Sequence, residues 1–195
     1  MSNNHFFDQW RILAENGESE SNYCYAVYSR AIAFWRTLCG DYMWGHDRQE
    51  ACWIRLEWNR AKAAVAFASY QKWQSWFVAQ EADRPSLTYD IDVSHFGIAN
   101  RAVTTGRNFI LTEKGYMGWA PIQVQVGDLV VFLPGGKVPY VLRPVSHPNE
   151  LEQEKDGSSP CYSIVGDAYI VVIMDGVAFT MHENAGKELE DIVLA

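Results

Sequence analysis

The chain has 195 residues, of which 48% are apolar and 14% aromatic, and its formal net charge is −8. This composition predicts a chain that folds around a sizeable core and excludes an intrinsically disordered protein. The acidic balance, and the absence of any run of Lys and Arg longer than a dipeptide, argue against nucleic acid as a partner.

The four cysteines show neither C-x-x-C spacing nor pairing with histidine at metal-ligand intervals. No apolar stretch approaches the roughly 20 residues that span a bilayer, and the polar N-terminus lacks the pattern of a signal peptide. We therefore expect a cytoplasmic protein with reduced thiols, no metal and no membrane span.

The first part of the chain, about 1–85, has helical periodicity. Apolar residues recur every three or four positions over 21–38, with Ser21 as a candidate N-cap and Gly40 as a stop. A longer helix is predicted over 47–80, and its two apolar stripes indicate burial on two sides. We expect its second side to pack against the strands of the second part.

Strand signals replace the helical period in the second part of the chain. Short β-branched and aromatic runs, bounded by turn residues, are NFILT, DLVVFL, VPYVLR, YSIVGDAYIVVIM and VAFTM. They predict a β module over 106–180, with a loop at 146–160 and a short C-terminal helix over 183–192. The fold class is therefore α+β, a single domain over 1–195 in which long N-terminal helices pack on a small antiparallel β-barrel or sheet.

The segment GDLVVFLPGGKVPYVLRP predicts a β-hairpin. Its two apolar runs are separated by Pro-Gly-Gly-Lys at 134–137, which reverses the chain. Pro139 lacks an N–H for a ladder bond, so its strand should lie at an edge or begin there. We expect Gly127 and Gly136 to adopt positive φ angles.

Three linked motifs resemble the C-terminal region of fungal heterokaryon-incompatibility (HET) proteins in order and spacing. They are FWRTLCGD at 34–41, the stretch from GRNFILT to YVLRP at 106–144, and YSIVGDAYIVVIMDG at 162–176. Val177 stands where the family usually has an acidic residue. The resemblance implies the fold of that region, a fungal origin and a stand-alone module without the N-terminal HET domain.

The sequence contains no G-x-S-x-G, H-E-x-x-H or strand-associated G-x-G-x-x-G motif, so we expect no cofactor. The surplus of large rings is compatible with an apolar cavity. Such a cavity promotes cyclisation of a flexible substrate, because it holds the substrate in its reactive conformation and donates one hydrogen bond to it.

By analogy with fungal specialised metabolism, we predict a cofactor-free cyclase acting on an apolar terpenoid or polyketide intermediate, with an intramolecular Diels-Alder reaction as one form of that cyclisation. The alternative is a non-enzymatic interaction or regulatory module related to HET proteins, which would present its apolar residues at the surface. A homo-oligomer is compatible with either function.

His95, Tyr140 and Arg143 are the candidate catalytic hydrogen-bond donors, with His95 favoured because it lies at the junction of the two parts. The structural alternative for Arg143 is an ion pair with Asp128 or Asp167. The candidate substrate-binding residues are large apolar side chains that would shape the cavity: Trp53, Tyr116, Trp119, Phe132, Tyr169 and Met174.

Overall fold

The computed structural model describes residues 4–16, 29–47, 50–56, 60–78, 91–145, 160–174, 177–184, 186 and 189–195. The chain divides into two compact units. The first comprises Met1–Thr105 and Leu111–Met117, and the second comprises Gly106–Ile110 and Gly118–Ala195.

The first unit contains four described helices and one pair of strands. The helices are α1 (Asn4–Asn16), α2 (Arg30–Leu38), α3 (Arg60–Val78) and α4 (Ile91–Thr104), and the strands are β1 (Tyr42–Asp47) and β2 (Glu50–Arg55). Strand β1 pairs antiparallel with β2.

Aromatic rings form the core among these helices. Phe7 of α1 packs against Phe34 of α2 and Trp73 of α3, with ring centroids 6.0 and 5.3 Å apart. Phe96 of α4 lies 5.2 Å from Trp73 and 5.3 Å from Tyr70. All five rings are less than a tenth exposed, so this cluster supplies much of the apolar burial that holds the helices together.

The FWRTLCGD motif forms the end of α2 and the turn that follows it. Arg36 donates to Asp41 through Nη1 and Oδ1 at 2.6 Å, and both side chains are buried. The helix ends at Leu38, and Gly40 follows with φ +64°. A Cβ on Gly40 would lie 2.6 Å from Val103 Cγ1, so a glycine is required there. The predicted stop at Gly40 is confirmed.

The two long N-terminal helices that the sequence predicts are shorter in the described residues. The continuous helix predicted over 21–38 is wrong, because α2 begins at Arg30 and Ser29 is its N-cap in an extended conformation. Residues 21–28, including the Ser21 cap, lie outside the described residues. The helix predicted over 47–80 is wrong at its beginning, because residues 50–55 form β2 and helix α3 starts at Arg60. Short apolar runs do not distinguish a strand from a helix, and pairing with β1 decides this one.

The other strands form two further sheets. They are β3 (Arg107–Leu111), β4 (Met117–Pro121), β5 (Leu129–Val131), β6 (Tyr140–Pro144), β7 (Cys161–Asp167), β8 (Tyr169–Ile170) and β9 (Val193–Leu194). The sheet orders are β3-β4-β8 and β5-β6-β7-β9. Strand β9 joins β7 in parallel, whereas β5-β6, β6-β7 and β4-β8 are antiparallel.

The strands of the described ranges therefore make three separate sheets and no closed barrel, which corrects the barrel form of the prediction. Within the second unit, Ala120, Val141 and Ala168 form a buried cluster. Ile110 and Val165 pack against it.

The β5-β6 pairing confirms the predicted hairpin. Strand β6 begins immediately after Pro139, whose carbonyl accepts from the Ala168 N–H at 2.8 Å. Gly127 has the expected positive φ, +97°. The prediction for Gly136 is wrong, because Gly135 takes the left-handed conformation of the turn, with φ +81°.

Two predictions near the C-terminus are also wrong. The run VAFTM lies in helix α5 (Val177–Asn184) rather than in a strand. Among the described residues of the helix predicted over 183–192, only 183 and 184 are helical, at the end of α5, and residues 189–192 lead into β9. A short run of four apolar residues and one threonine fits either element, and β9 depends on pairing with β7, which is distant in sequence. The segment 146–159 lies outside the described residues.

Candidate functional site

One face of the β1-β2 pair carries three aromatic rings side by side. Cross-strand partners place their side chains on the same face of a sheet, and residues two apart on one strand share that face. The observed register therefore groups six side chains, which we call the aromatic face: Tyr42 opposite Arg55, Trp44 opposite Trp53, and His46 opposite Ala51.

The opposite face of the same two strands is buried on β1 and half-buried on β2, where Cys52 and Ile54 lie. Met43 and Gly45 point away from the aromatic face and are buried, and helix α4 packs on β1. On the aromatic face, Tyr42 is 37% exposed and Trp53 is 44% exposed. The β1-β2 pair thus has one side in the core and one aromatic side in solvent.

Contacts within the aromatic face hold its rings. The N–H of Leu56 donates to the carbonyl of Asp41 at 2.9 Å. Because bonded and non-bonded pairs alternate in antiparallel strands, this bond makes Trp44 and Trp53 a non-hydrogen-bonded pair, whose side chains approach closely. Their ring centroids are 5.2 Å apart in an edge-to-face arrangement.

The end of the aromatic face nearest Leu56 is formed by a cation and a ring. The Arg55 guanidinium carbon lies 5.8 Å from the centroid of Tyr42. Such cation-π contacts favour a fixed position for both groups. His46 and Ala51 are exposed at the opposite end.

Three of the predicted site residues lie in the first unit. Trp53 belongs to the aromatic face. His95 is half-buried in α4. Tyr116 is half-buried after β3, and its backbone N–H donates to Thr112 Oγ1 at 3.0 Å.

Trp119 and Tyr169, in the second unit, are brought together by strand pairing. They lie opposite each other on β4 and β8. Trp119 is fully buried and contacts Phe109 edge-to-face at 5.3 Å. Its neighbour Gly118 approaches the Tyr169 carbonyl so closely that a Cβ would overlap it. These contacts give Trp119 the role of a core residue.

The remaining apolar candidates and Tyr140 also lie in the second unit. Phe132 contacts Phe179 of α5, with ring centroids 6.4 Å apart. Tyr140 and Met174 are half-buried, on β6 and after β8 respectively.

Arg143 forms a two-pronged ion pair with Asp128. Its Nε and Nη2 donate to the two carboxylate oxygens, each at 2.8 Å, and Nη2 also donates to the carbonyl of Gln123. The hydrogen bond from Arg143 lowers the pKa of the buried Asp128 carboxyl below its usual value. Asp167, the other expected partner, is held by Arg107 at 2.6 Å. The pair fastens the turn before β5 to β6.

The nine predicted site residues therefore divide between the two units, three in the first and six in the second. Sequence reasoning missed Tyr42 and Trp44 as partners of Trp53. The signal was present along 42–46, where Tyr42, Trp44 and His46 occupy alternate positions, as the side chains on one face of a strand do.

Among the residues that the structure describes, no group of three His, Cys, Asp or Glu side chains is placed to hold a metal ion. No described helix is both long enough and apolar enough to cross a membrane.

The chain is similar in sequence to a known fungal protein over most of its own length. In a 191-residue alignment covering 88% of this chain, it is 27% identical to "Heterokaryon incompatibility protein 6, OR allele" of Neurospora crassa. It spans only about a quarter, 26%, of that protein's length. No solved structure matches. Residues 3–188 match the Het-6 beta-barrel domain, which confirms the resemblance to HET proteins, and the chain belongs to the Het-6 beta-barrel domain family.

Proposed function

We propose that this chain is a non-enzymatic interaction module and that it binds a partner through the aromatic face. The observation that carries the proposal is the exposure of Tyr42 and Trp53 on a sheet whose opposite side is buried on β1 and half-buried on β2. Trp, Tyr and Arg are the residue types that dominate binding energy at protein interfaces. All three types are adjacent here.

The fixed geometry of the face also supports binding. Trp53 is held by Trp44, and Tyr42 lies against Arg55. Rings that are already ordered lose little conformational entropy when a partner docks, so more of the contact energy appears as affinity. A purely structural role, in which the Trp pair stabilises the two strands by about 0.2–1 kcal/mol, would not require these rings to remain exposed.

The Neurospora relative is named for heterokaryon incompatibility. We propose that this chain acts in the same process, as the binding part of a recognition event. The contacts of Trp119 with Phe109 and of Arg143 with Asp128 give no support to the cyclase hypothesis, which stays a prediction.

The experiment is selection of a phage-displayed random peptide library on the purified full chain, run in parallel on three variants. Trp53→Ser removes the exposed ring, and Ala51→Glu adds a charge to the same face while leaving the Trp pair in place. Val126→Ser is the matched control, because Val126 is a fully exposed apolar residue of the second unit.

We expect peptides that bind the wild-type chain and Val126→Ser but neither aromatic-face variant. Far-UV circular dichroism checks that each variant is folded. The proposal is refuted if Ala51→Glu and Trp53→Ser enrich the same peptides as the wild-type chain. It is also refuted if the wild-type chain enriches no peptides.

A further inference from the structure

We infer that the aromatic face binds an extended, proline-rich peptide segment. This inference rests on the proposed function and adds the class of ligand. Three properties of the face carry it: its hydrogen-bonding groups, its position on the sheet, and its exposed rings and limited size.

The hydrogen-bonding groups of the aromatic face are mainly donors. The indoles of Trp44 and Trp53 donate only, as does the guanidinium of Arg55, and none of the six side chains is a carboxylate. A proline residue offers the complementary chemistry, because it has a carbonyl acceptor and no N–H donor. A proline-rich segment therefore docks here without leaving its own donors unsatisfied.

A ligand on this face also forms no ladder hydrogen bonds with the backbones of β1 and β2. The N–H and C=O groups of β1 and β2 lie in the plane of the sheet, where the two strands pair, and do not point toward the aromatic face. A peptide that adds as a strand needs a sheet edge. A polyproline II segment makes no internal hydrogen bonds, keeps its backbone solvated and is already extended, so it suits a flat aromatic surface.

The exposed rings also suit the side chains of such a segment. Proline-rich segments in the polyproline II conformation dock in aromatic-lined grooves of other peptide-binding domains. Tyr42 and Trp53 present exposed rings on this face.

The size of the face argues for a short peptide rather than a second copy of this chain. At 37% and 44% exposure, Tyr42 and Trp53 present together roughly 150–200 Å². A stable protein interface buries about 800 Å² on each partner. The net charge of −8 also opposes pairing of two copies and disfavours a nucleic-acid strand on the same rings.

The test is fluorescence anisotropy of labelled decaproline titrated with the full chain. An alternating Ala-Gln peptide and an oligothymidylate, both of the same length, are the comparison probes. We expect saturable binding of decaproline that exceeds binding of either comparison probe. Trp53→Ser should weaken it by about 30-fold, the effect of losing one interface hot spot. Ala51→Glu should weaken it measurably, and Val126→Ser should change it by less than about twofold.

The outcomes separate this inference from the proposed function. If the library selects peptides without proline and decaproline does not bind, the inference is overturned and the interaction module stands. If no peptide of either kind binds, both fail. Preferential binding of the oligothymidylate, or a dimer in sedimentation that Trp53→Ser dissociates, would replace the peptide with nucleic acid or with a second copy.

Discussion

Replacing Gly118 with alanine tests the close approach of β4 and β8. Gly118 lies opposite Ile170, and an added Cβ would overlap the carbonyl oxygen of Tyr169 and lie 2.5 Å from Ile170 Cδ1. Carbon atoms in ordinary contact are about 3.5–4.0 Å apart, so the two strands must separate by roughly 1 Å. A backbone carbonyl cannot move aside as a side chain does.

The expected cost follows from these contacts. Overpacking costs about 1–3 kcal/mol, and each ladder hydrogen bond that the separation weakens adds about 0.5–1.5 kcal/mol. Strand β8 has only two residues, and Trp119, next to Gly118, is fully buried. We expect Gly118→Ala to lower the free energy of unfolding by about 3 kcal/mol, which corresponds to about 6–12 °C in Tm for a chain of this size.

The assay is urea and thermal unfolding followed by circular dichroism. Gly127→Ala is the control in the same unit, because Gly127 has φ +97° but no atom within 4 Å of its Cβ position. It carries only the backbone cost, about 1–2 kcal/mol. A loss for Gly118→Ala no larger than that for Gly127→Ala would show that β4 and β8 do not approach as closely as described.

Three further predictions concern single residues. Gly97→Ala in helix α4 should raise stability by about 0.5–1 kcal/mol, because its Cβ would meet Trp73 only at 4.0 Å; a lower urea midpoint would contradict this packing. Val172 has φ +77°, which is costly for a β-branched residue. Val172→Gly should therefore raise the free energy of unfolding by up to about 1 kcal/mol. A decrease in that free energy, measured by urea unfolding, would argue against backbone strain. The hydrogen bond from Arg143 lowers the pKa of Asp128, so this carboxylate stabilises the fold above its usual pKa of about 3.9 and loses that effect as pH falls through the lowered folded value. When the free energy of unfolding is measured as a function of pH, the loss of stability caused by Asp128→Asn should therefore become smaller in that acidic range. A loss of stability that does not change with pH would contradict the ion pair.

The β5-β6 hairpin could be predicted from the sequence because its signals are local. Two apolar runs flank a Pro-Gly-Gly turn, and Pro139 sets the beginning of β6. The end of α2 was equally local, since Gly40 supplies the left-handed residue after the helix. Each of these features depends on residues within one turn or one hairpin.

Other features depended on tertiary contacts. The run at 177–181 is apolar enough for a strand or a helix, and its sequence alone did not decide between them. Arg143 had two possible acidic partners, and the choice of Asp128 was decided by the fold, in which Arg107 holds Asp167.

The aromatic face shows the same division between sequence and structure. The sequence determined which rings the chain carries and, through alternation, which of them can share a side of a strand. Only the pairing of β1 with β2 placed Trp44 against Trp53, and only the tertiary packing, with α4 on β1, buried Met43 and Gly45 on the opposite side. The physical reason is that side-chain alternation defines two faces, whereas burial of one face requires a partner element from elsewhere in the chain.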